Sequence, residues 1–298
     1  MIFSFDIFDT FFCRNTLTPK GIFALMRQAI KRDPRYPVTL RLNFFDIRVS
    51  AEEEARKSLT THEETTLEEI YQIIQNRYDL TDFAMRELMA LESKLEIENV
   101  YGVNEIVFRV KHLLSSGQKV IFISDMYLPI DTVREMLHCV APELSDLPIY
   151  LSSEIGLRKS TGSLYKHILA KEAIRPSELR HVGDSYEYDF CVSTKLGIKA
   201  ECFKETWLTE AEKTIICDYA REYDVTRQLV GGIVRKMRLH LLRGNRFTPM
   251  VYSFGPVLYG FVHDTLKRIL ASEKKRVYFI SRDGRPLKLV ADAIIAAH

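Results

Sequence analysis

The chain has 298 residues, of which 46% are hydrophobic and 28% charged, an ordinary composition for a globular protein of one large or two modest domains. Its net charge of +2 does not indicate binding to nucleic acid or to an anionic membrane. The five cysteines are odd in number and widely spaced. This favours reduced thiols in a cytoplasmic protein over a disulfide framework or a zinc site.

The first predicted element is a buried strand over residues 2–8. A long region with helical periodicity follows, in which Thr66 is a candidate N-cap. Because compact domains rarely carry long connections, we expect these roughly 80 residues to form a helical domain inserted into a sheet. The helices predicted within it span residues 19–32, 43–60, 67–78 and 81–97.

After residue 100, helices and strands alternate, which indicates an α/β fold with a doubly wound parallel sheet. The predicted strands cover residues 119–124, 148–153, 179–183 and 198–203. The predicted helices cover residues 103–117, 129–140, 161–173 and 187–197.

The C-terminal region, residues 206–298, is predicted to be mostly helical. Residues 249–262 form the longest apolar stretch, but it is too short for a membrane span and is interrupted by Gly255 and Pro256. We therefore expect a buried core helix there. Residues 276–298 are predicted to form a strand and a helix, which cannot cover both faces of a sheet. We interpret them as the start of a truncated second α/β domain, and this region is also where a protein partner could bind.

Polar residues gather where the predicted strands end. In an open parallel sheet these carboxyl ends share one edge, so the side chains that follow them converge on one crevice. Several carboxylates, one or two hydroxyls and a lysine suit phosphoryl transfer through an aspartyl-phosphate with Mg²⁺. The candidates are Asp6, Asp9, Thr10, Ser124, Asp125, Lys159, Asp184 and Asp189.

Four motifs carry most of these residues in a defined order. They are "FDIFDT" with Asp6 and Thr10, "VIFIS" with Ser124, "GLRKSTGSLY" with Lys159, and "HVGDSYEYD" with Asp184 and Asp189. Their order and spacing resemble the haloacid dehalogenase-like (HAD) superfamily. The resemblance covers a core of residues 1–15 and 99–205, and residues 16–98 match that superfamily's type 1 helical cap.

The resemblance implies a role for each of these positions. Asp6 would be the nucleophile, with Thr10, Ser124 and Lys159 as further catalytic residues, and Ser124, Asp125 and Lys159 would bind the substrate. Mg²⁺ would be held by Asp6, the backbone carbonyl of Phe8, Asp184 and Asp189, the last directly or through a water. The substrate would be a small phosphorylated metabolite. Proteins with a similar "SFDIFDT" and "FISRDG" are predicted hydrolases linked to surface-polysaccharide synthesis, which suggests a sugar phosphate.

Position 8 departs from the family pattern. HAD phosphatases usually have an aspartate two residues after the nucleophile, as general acid and base, where this chain has Phe8. Asp9 or Asp125 is a candidate source of the proton. In a regular strand, however, residues 6 and 8 share one face and Asp9 points to the other. General acid–base help contributes about 10²–10⁴-fold, so its loss would slow such an enzyme without abolishing catalysis.

Other interpretations remain open at this point. Phe8 also fits a catalytically weak or inactive binding or regulatory module, and it fits a metal-independent dehalogenase, although the family's dehalogenases lack the Gly183–Asp184 pair. Asp9 read alone is a turn residue, and Asp125 read alone is a helix cap. His181 lies inside a predicted strand, which favours a hydrogen-bonded core histidine.

Overall fold

The computed structural model describes residues 1–217, 223–240, 248–272 and 276–297. They divide into two compact units, Met1–Leu239 and His240–His298. The first unit contains every candidate site residue and extends past residue 205, where we expected the core to end.

A five-stranded sheet forms the centre of the first unit. All of its neighbouring strands run parallel, in the order β5-β4-β1-β6-β7. The predicted α/β fold with a parallel sheet is confirmed. Its strands are β1 (Ile2–Phe5), β4 (Lys119–Ser124), β5 (Ile149–Leu151), β6 (Leu179–Gly183) and β7 (Lys199–Cys202).

The register of the sheet sets where its functional edge lies. Phe5, the last residue of β1, lies beside Phe122 of β4 and Val182 of β6. The next amide, that of Asp6, donates to the carbonyl of Val182 at 2.8 Å. The residues that follow β1, β4 and β6 therefore emerge next to one another.

Helices cover both faces of the sheet. Within β4, Val120 and Phe122 pack into one apolar cluster, whereas Ile121 and Ile123 pack into another with Tyr165 of α8. This alternation is what a strand buried on both faces requires. The helices described after the inserted region are α5 (Asn104–Ser115), α6 (Ile130–Val140), α7 (Ser152–Ile155), α8 (Ser163–Lys171), α9 (Ser193–Lys195), α10 (Glu210–Ile215) and α11 (Val225–His240).

The inserted helical region lies between two short strands, β2 (Phe12–Arg14) and β3 (Val100–Gly102), which pair antiparallel. Thr66 forms a capping box with Glu69, as its position predicts. The second helix begins earlier than residue 43 and is kinked at Asn43. The four helices are α1 (Gly21–Ile30), α2 (Val38–Lys57), α3 (Leu67–Tyr78) and α4 (Asp82–Glu98).

Two predictions about local structure in the first unit are wrong. The strand predicted over residues 2–8 ends at Phe5. The helix predicted over residues 187–197 is instead a π-helical turn, Tyr186–Val192, followed by α9. Turns of π-helix within helical segments are rare and often occur at functional sites.

The second unit contains α12 (Thr248–Leu270) and α13 (Gly284–Ala297). The strand predicted near residue 276 is wrong, because residues 276–280 have no regular secondary structure. The helix predicted over residues 249–262 forms, but its burial was overestimated, since Phe254, Val257 and Phe261 are more than half exposed. Among the described residues, no helix combines the length and apolar character needed to cross a membrane.

A buried ionic network fixes the inserted helices. The Arg48 guanidinium donates to Glu92 at 2.7 and 2.8 Å, and the Tyr71 hydroxyl donates to the same carboxylate at 2.6 Å. Arg48 and Glu92 are fully buried. A second buried pair, Arg14 with Glu96 at 2.7 Å, links β2 to α4. Buried charges of this kind are tolerated only when their hydrogen-bonding groups are satisfied.

We expect Glu92→Leu to lower the free energy of unfolding by about 3–5 kcal/mol, because it removes the buried carboxylate that accepts from two Arg48 nitrogens and leaves Glu52, at 3.0 Å, as the remaining ion-pair partner of this buried guanidinium. Urea unfolding monitored by circular dichroism measures this loss. The double variant Arg48→Met/Glu92→Leu should recover part of it. Arg35→Met, at an exposed pair with Asp33, is the control and should leave the midpoint unchanged. Equal losses in the single and double variants would contradict the prediction.

Candidate active site

Asp6 begins a tight turn at the end of the central strand and is 4% exposed. The amides of Phe11 and Phe12 both donate to the carbonyl of Ile7, at 2.9 and 3.0 Å, and the amide of Asp9 donates to the carbonyl of Phe12 at 2.8 Å. The alternation of a regular strand therefore stops before position 8. The expectation that Asp9 would point away from Asp6 on strand geometry does not apply to this turn.

Lys159 links two of the candidate carboxylates. Its Nζ lies 2.6 Å from Asp6 Oδ1 and 2.6 Å from Asp189 Oδ1, and the residue is 4% exposed. Burial alone would lower the pKa of Lys159, but the two carboxylates outweigh it and hold that pKa well above its ordinary value. Position 159 thus supplies a permanent positive charge.

Asp189 is the carboxylate with the most hydrogen bonds in the site. Besides Lys159, it accepts from His181 Nε2 at 3.0 Å and from the amide of Ser185 at 3.0 Å. Burial would raise the pKa of Asp189, but Lys159 and His181 together hold it below its ordinary value. Asp189 is therefore ionised.

His181 is the hydrogen-bonded core histidine that its position predicted. Its Nδ1 lies 2.9 Å from the hydroxyl of Ser4, and its ring meets that of Tyr165 edge to face. Burial lowers the pKa of His181, so the ring is neutral. The Ser4 hydroxyl then donates to Nδ1, and Nε2–H donates to Asp189.

Asp184 completes an acidic cluster. Carboxylate oxygens of Asp6, Asp184 and Asp189 lie within 4.8 Å of one another, and the Thr10 hydroxyl donates to Asp184 Oδ1 at 3.4 Å. Burial, followed by the charges of Asp9 and Asp6, raises the pKa of Asp184 to about 9. Burial also raises the pKa of Asp6, and because Lys159 only partly offsets this, it reaches about 7.

The charges of this cluster suit a divalent cation. Three carboxylates face a single ammonium, which leaves an excess of two negative charges when all three are ionised. Oxygen ligands at such spacing are the donors that Mg²⁺ prefers. The raised pKa values of Asp6 and Asp184 show that the protein alone does not neutralise this charge.

Ser124, at the end of β4, is 1% exposed, and its hydroxyl has no hydrogen-bond partner among the described residues. A buried hydroxyl without a partner costs about 1–3 kcal/mol. Because β4 is the immediate neighbour of β1, Ser124 lies at the sheet edge that carries Asp6.

Asp125 holds the backbone of the loop that carries Lys159. Its Oδ1 and Oδ2 accept from the backbone amide of Lys159 at 2.9 and 3.1 Å. It also lines a cleft of about 460 Å³ between the inserted helices and the sheet, together with Phe8, Phe23 and Tyr127. Asp9, the other candidate for the missing acid, lines the same cleft.

Phe8 gives that cleft an apolar wall. Its ring packs edge to face on Phe12 at 4.9 Å, and the guanidinium of Arg14 lies 4.6 Å from its centre. Because a phenyl ring has no ionisable group, the side chain at position 8 cannot act as a general acid or base.

The structure adds three residues that the sequence gave no reason to select. Arg235 of α11 pairs with Asp9 Oδ1 at 2.8 Å, and the hydroxyl of Thr206 donates to the carbonyl of Asp9. The indole of Trp207 donates to the carbonyl of Asp184 at 2.8 Å. All three lie in residues 206–239, far along the chain from Asp9. No local pattern indicates such long-range contacts.

Gly183 owes its place to close packing. Its φ angle is not positive, so backbone conformation does not require a glycine here. A Cβ at this position would lie 2.3 Å from Asp189 Cγ. The absence of a side chain is what lets Asp189 approach β6 and reach Lys159.

No protein-family model and no curated protein matches this sequence. The solved structures that it resembles include HAD-family phosphatases and dehalogenases. A HAD phosphatase from Thermococcus onnurineus is 15% identical, with a TM-score of 0.47, over 70% of this chain and 88% of the other. A HAD family enzyme from Bacteroides thetaiotaomicron, in complex with magnesium and inorganic phosphate, is 15% identical, with a TM-score of 0.45, over 70% and 96%.

The L-2-haloacid dehalogenase PA0810 is 14% identical, with a TM-score of 0.43, over 68% of this chain and 83% of the other. At these identities and scores, none of the three assigns an activity or a ligand to this chain.

Gly183→Ala should lower the free energy of unfolding by about 1–3 kcal/mol and displace Asp189 from Lys159, because the added methyl group overlaps the Asp189 carboxyl group. Thermal unfolding and a crystal structure of the variant measure the two effects. Gly260→Ala is the matched control, since a Cβ there meets open space. An Asp189 that stays in place in a fully stable Gly183→Ala protein would refute this explanation of the glycine.

Proposed function

We propose that this protein is a Mg²⁺-dependent phosphohydrolase that acts on a small phosphorylated metabolite through an aspartyl-phosphate on Asp6. The observation that carries the proposal is the cluster of Asp6, Asp184 and Asp189 around Lys159, with its excess of negative charge. The unpartnered hydroxyl of Ser124 on the adjacent strand supports it, because a phosphoryl oxygen can accept its proton.

In the first step, a carboxylate oxygen of Asp6 attacks phosphorus while the bond from phosphorus to the leaving oxygen breaks. Lys159 and Ser124 donate to phosphoryl oxygens and orient them. Thr10 holds the Asp184 carboxyl group by a hydrogen bond. In the second step, water attacks the phosphorus of the aspartyl-phosphate, which releases phosphate and regenerates Asp6.

The residues that would hold Mg²⁺ are Asp6, the backbone carbonyl of Phe8, Asp184 and Asp189, the last directly or through a water. The ion would supply the positive charge that the site lacks and so reduce repulsion between the carboxylates and the phosphate.

Asp125 is the residue we propose for the proton transfer that Phe8 cannot perform. Both Asp125 and Asp9 line the cleft, but the Asp9 carboxylate is held in an ion pair by Arg235. A carboxylate at the cleft wall can exchange a proton with the leaving oxygen or with the attacking water.

The cleft volume of about 460 Å³ suits a small metabolite, and Glu53 at its wall could accept from a hydroxyl group. This supports the proposal of a sugar phosphate as substrate. No disulfide joins the cysteines of the described residues, which supports the proposal of a reducing, cytoplasmic location.

A catalytically weak binding or regulatory module is the second candidate function. The apolar wall that Phe8 contributes favours it, because the usual acid is missing. A metal-independent dehalogenase is the third. The excess negative charge around Asp184 argues against it, since a carboxylate cluster without a cation is unfavourable.

The wild-type protein should hydrolyse p-nitrophenyl phosphate only with Mg²⁺, and Asp6→Asn should lower kcat by at least about 10³-fold, because it removes the nucleophile. Release of p-nitrophenolate, followed by absorbance, measures this. Asp131→Asn, at an exposed position on α6, is the control. Tight Mg²⁺ binding without turnover on a broad phosphate panel would favour the binding module, and halide release without metal would favour the dehalogenase.

Asp125→Asn should slow an alkyl phosphate by about 10²-fold or more and p-nitrophenyl phosphate far less, because p-nitrophenolate leaves without a proton. Asparagine keeps one oxygen to accept from the amide of Lys159, so the loop stays supported. Asp9→Asn should slow both substrates by similar factors. Equal losses on the two substrates in Asp125→Asn would rule out its role in proton transfer.

A further inference from the structure

Asp9 adopts an uncommon backbone conformation in the middle of the site. Its φ angle is +55°, in the left-handed region, which costs a residue with a Cβ roughly 1–2 kcal/mol. The peptide that joins Phe8 to Asp9 carries the Phe8 carbonyl. The φ angle of Asp9 therefore helps to set where that carbonyl points.

Two buried residues hold Asp9 in this conformation. Arg235 pairs with its carboxylate at 2.8 Å, and the hydroxyl of Thr206 donates to its carbonyl. Arg235 Nε also donates to the carbonyl of Thr206 at 3.1 Å. Arg235 is 4% exposed and Thr206 is fully buried. The three residues form a closed set of contacts, which we call the Asp9 clamp.

Helix α11, which carries Arg235, is fixed against the segment that leads into the inserted helices. A Cβ on Gly232 would lie 1.9 Å from the carbonyl oxygen of Asn15, so the helix backbone directly contacts this segment. Gln228 Oε1 accepts from the amide of Thr18 at 3.0 Å. Because α11 contacts residues 15–18 at both Gly232 and Gln228, the helix that carries Arg235 has little freedom to move.

We propose that Arg235 and Thr206 are positioning residues, which hold the Phe8–Asp9 peptide so that the Phe8 carbonyl faces the cation site formed with Asp6 and Asp184. This inference rests on the proposed function for the identity of the cation. It gives residues 206–239 a part in the active site, although they lie outside the sheet and the inserted helices.

Isothermal titration calorimetry of the full chain with Mg²⁺ tests the clamp. Arg235→Met should weaken Mg²⁺ binding by about tenfold, because Asp9 can then relax and turn the Phe8 carbonyl away. Its kcat for p-nitrophenyl phosphate should return towards the wild-type value as Mg²⁺ approaches saturation. A loss of the fold alone would not be reversed in this way.

The Asp9→Gly background distinguishes positioning from a general structural effect. Glycine adopts a positive φ angle without a steric penalty and does not need the clamp. Arg235→Met should therefore weaken Mg²⁺ binding much less in Asp9→Gly than in the wild type. Arg227→Met is the control, since Arg227 lies on the same helix but pairs with the partly exposed Asp224 at 3.6 Å. It should leave Mg²⁺ affinity unchanged.

Unchanged Mg²⁺ affinity in Arg235→Met, or the same loss with and without Asp9→Gly, would overturn the inference. A wild-type protein that binds no Mg²⁺ would instead overturn the proposed function. In that case a crystal structure of Arg235→Met still tests the positioning of Asp9 independently of Mg²⁺ binding. The inference predicts that Asp9 has left the left-handed region in this variant. An unchanged turn at Asp9 would contradict the inference.

Discussion

The ion pairs of Lys159 with Asp6 and Asp189 are the interaction on which the site depends. A buried carboxylate is unfavourable unless a positive charge or hydrogen bonds compensate it, and here one ammonium at 2.6 Å from two carboxylates does so for part of the cluster. His181 and the backbone amide of Ser185 donate further hydrogen bonds to the Asp189 carboxylate. What remains uncompensated is concentrated on Asp6 and Asp184. The site thus holds an excess of negative charge that a divalent cation would neutralise.

The convergence of these groups could be predicted because it follows from a general rule about parallel sheets. The residues after β1, β4 and β6 are adjacent as soon as these strands pair in register, whatever their side chains are. The helices of the inserted region could also be predicted, since their apolar periodicity and the Thr66 cap are local signals in the sequence.

Other features could not be predicted because their causes are not local. The left-handed turn at Asp9 depends on Arg235, more than two hundred residues away, and the requirement for Gly183 depends on where Asp189 packs. Near residue 276 the apolar run of residues 277–280 indicates a strand, but a strand also needs a neighbour to pair with, and residues 276–280 pair with none in the described parts of the chain.

The beryllium fluoride complex gives the most direct test of the central claim, that Asp6 is a nucleophile in a site completed by a divalent cation. A crystal of the full chain soaked with Mg²⁺ and beryllium fluoride should show beryllium bonded to an Asp6 oxygen, with Mg²⁺ against Asp6 and Asp184 and fluorines near Lys159 and Ser124. A soaked crystal in which Asp6 remains unmodified and Mg²⁺ is bound elsewhere would contradict the account.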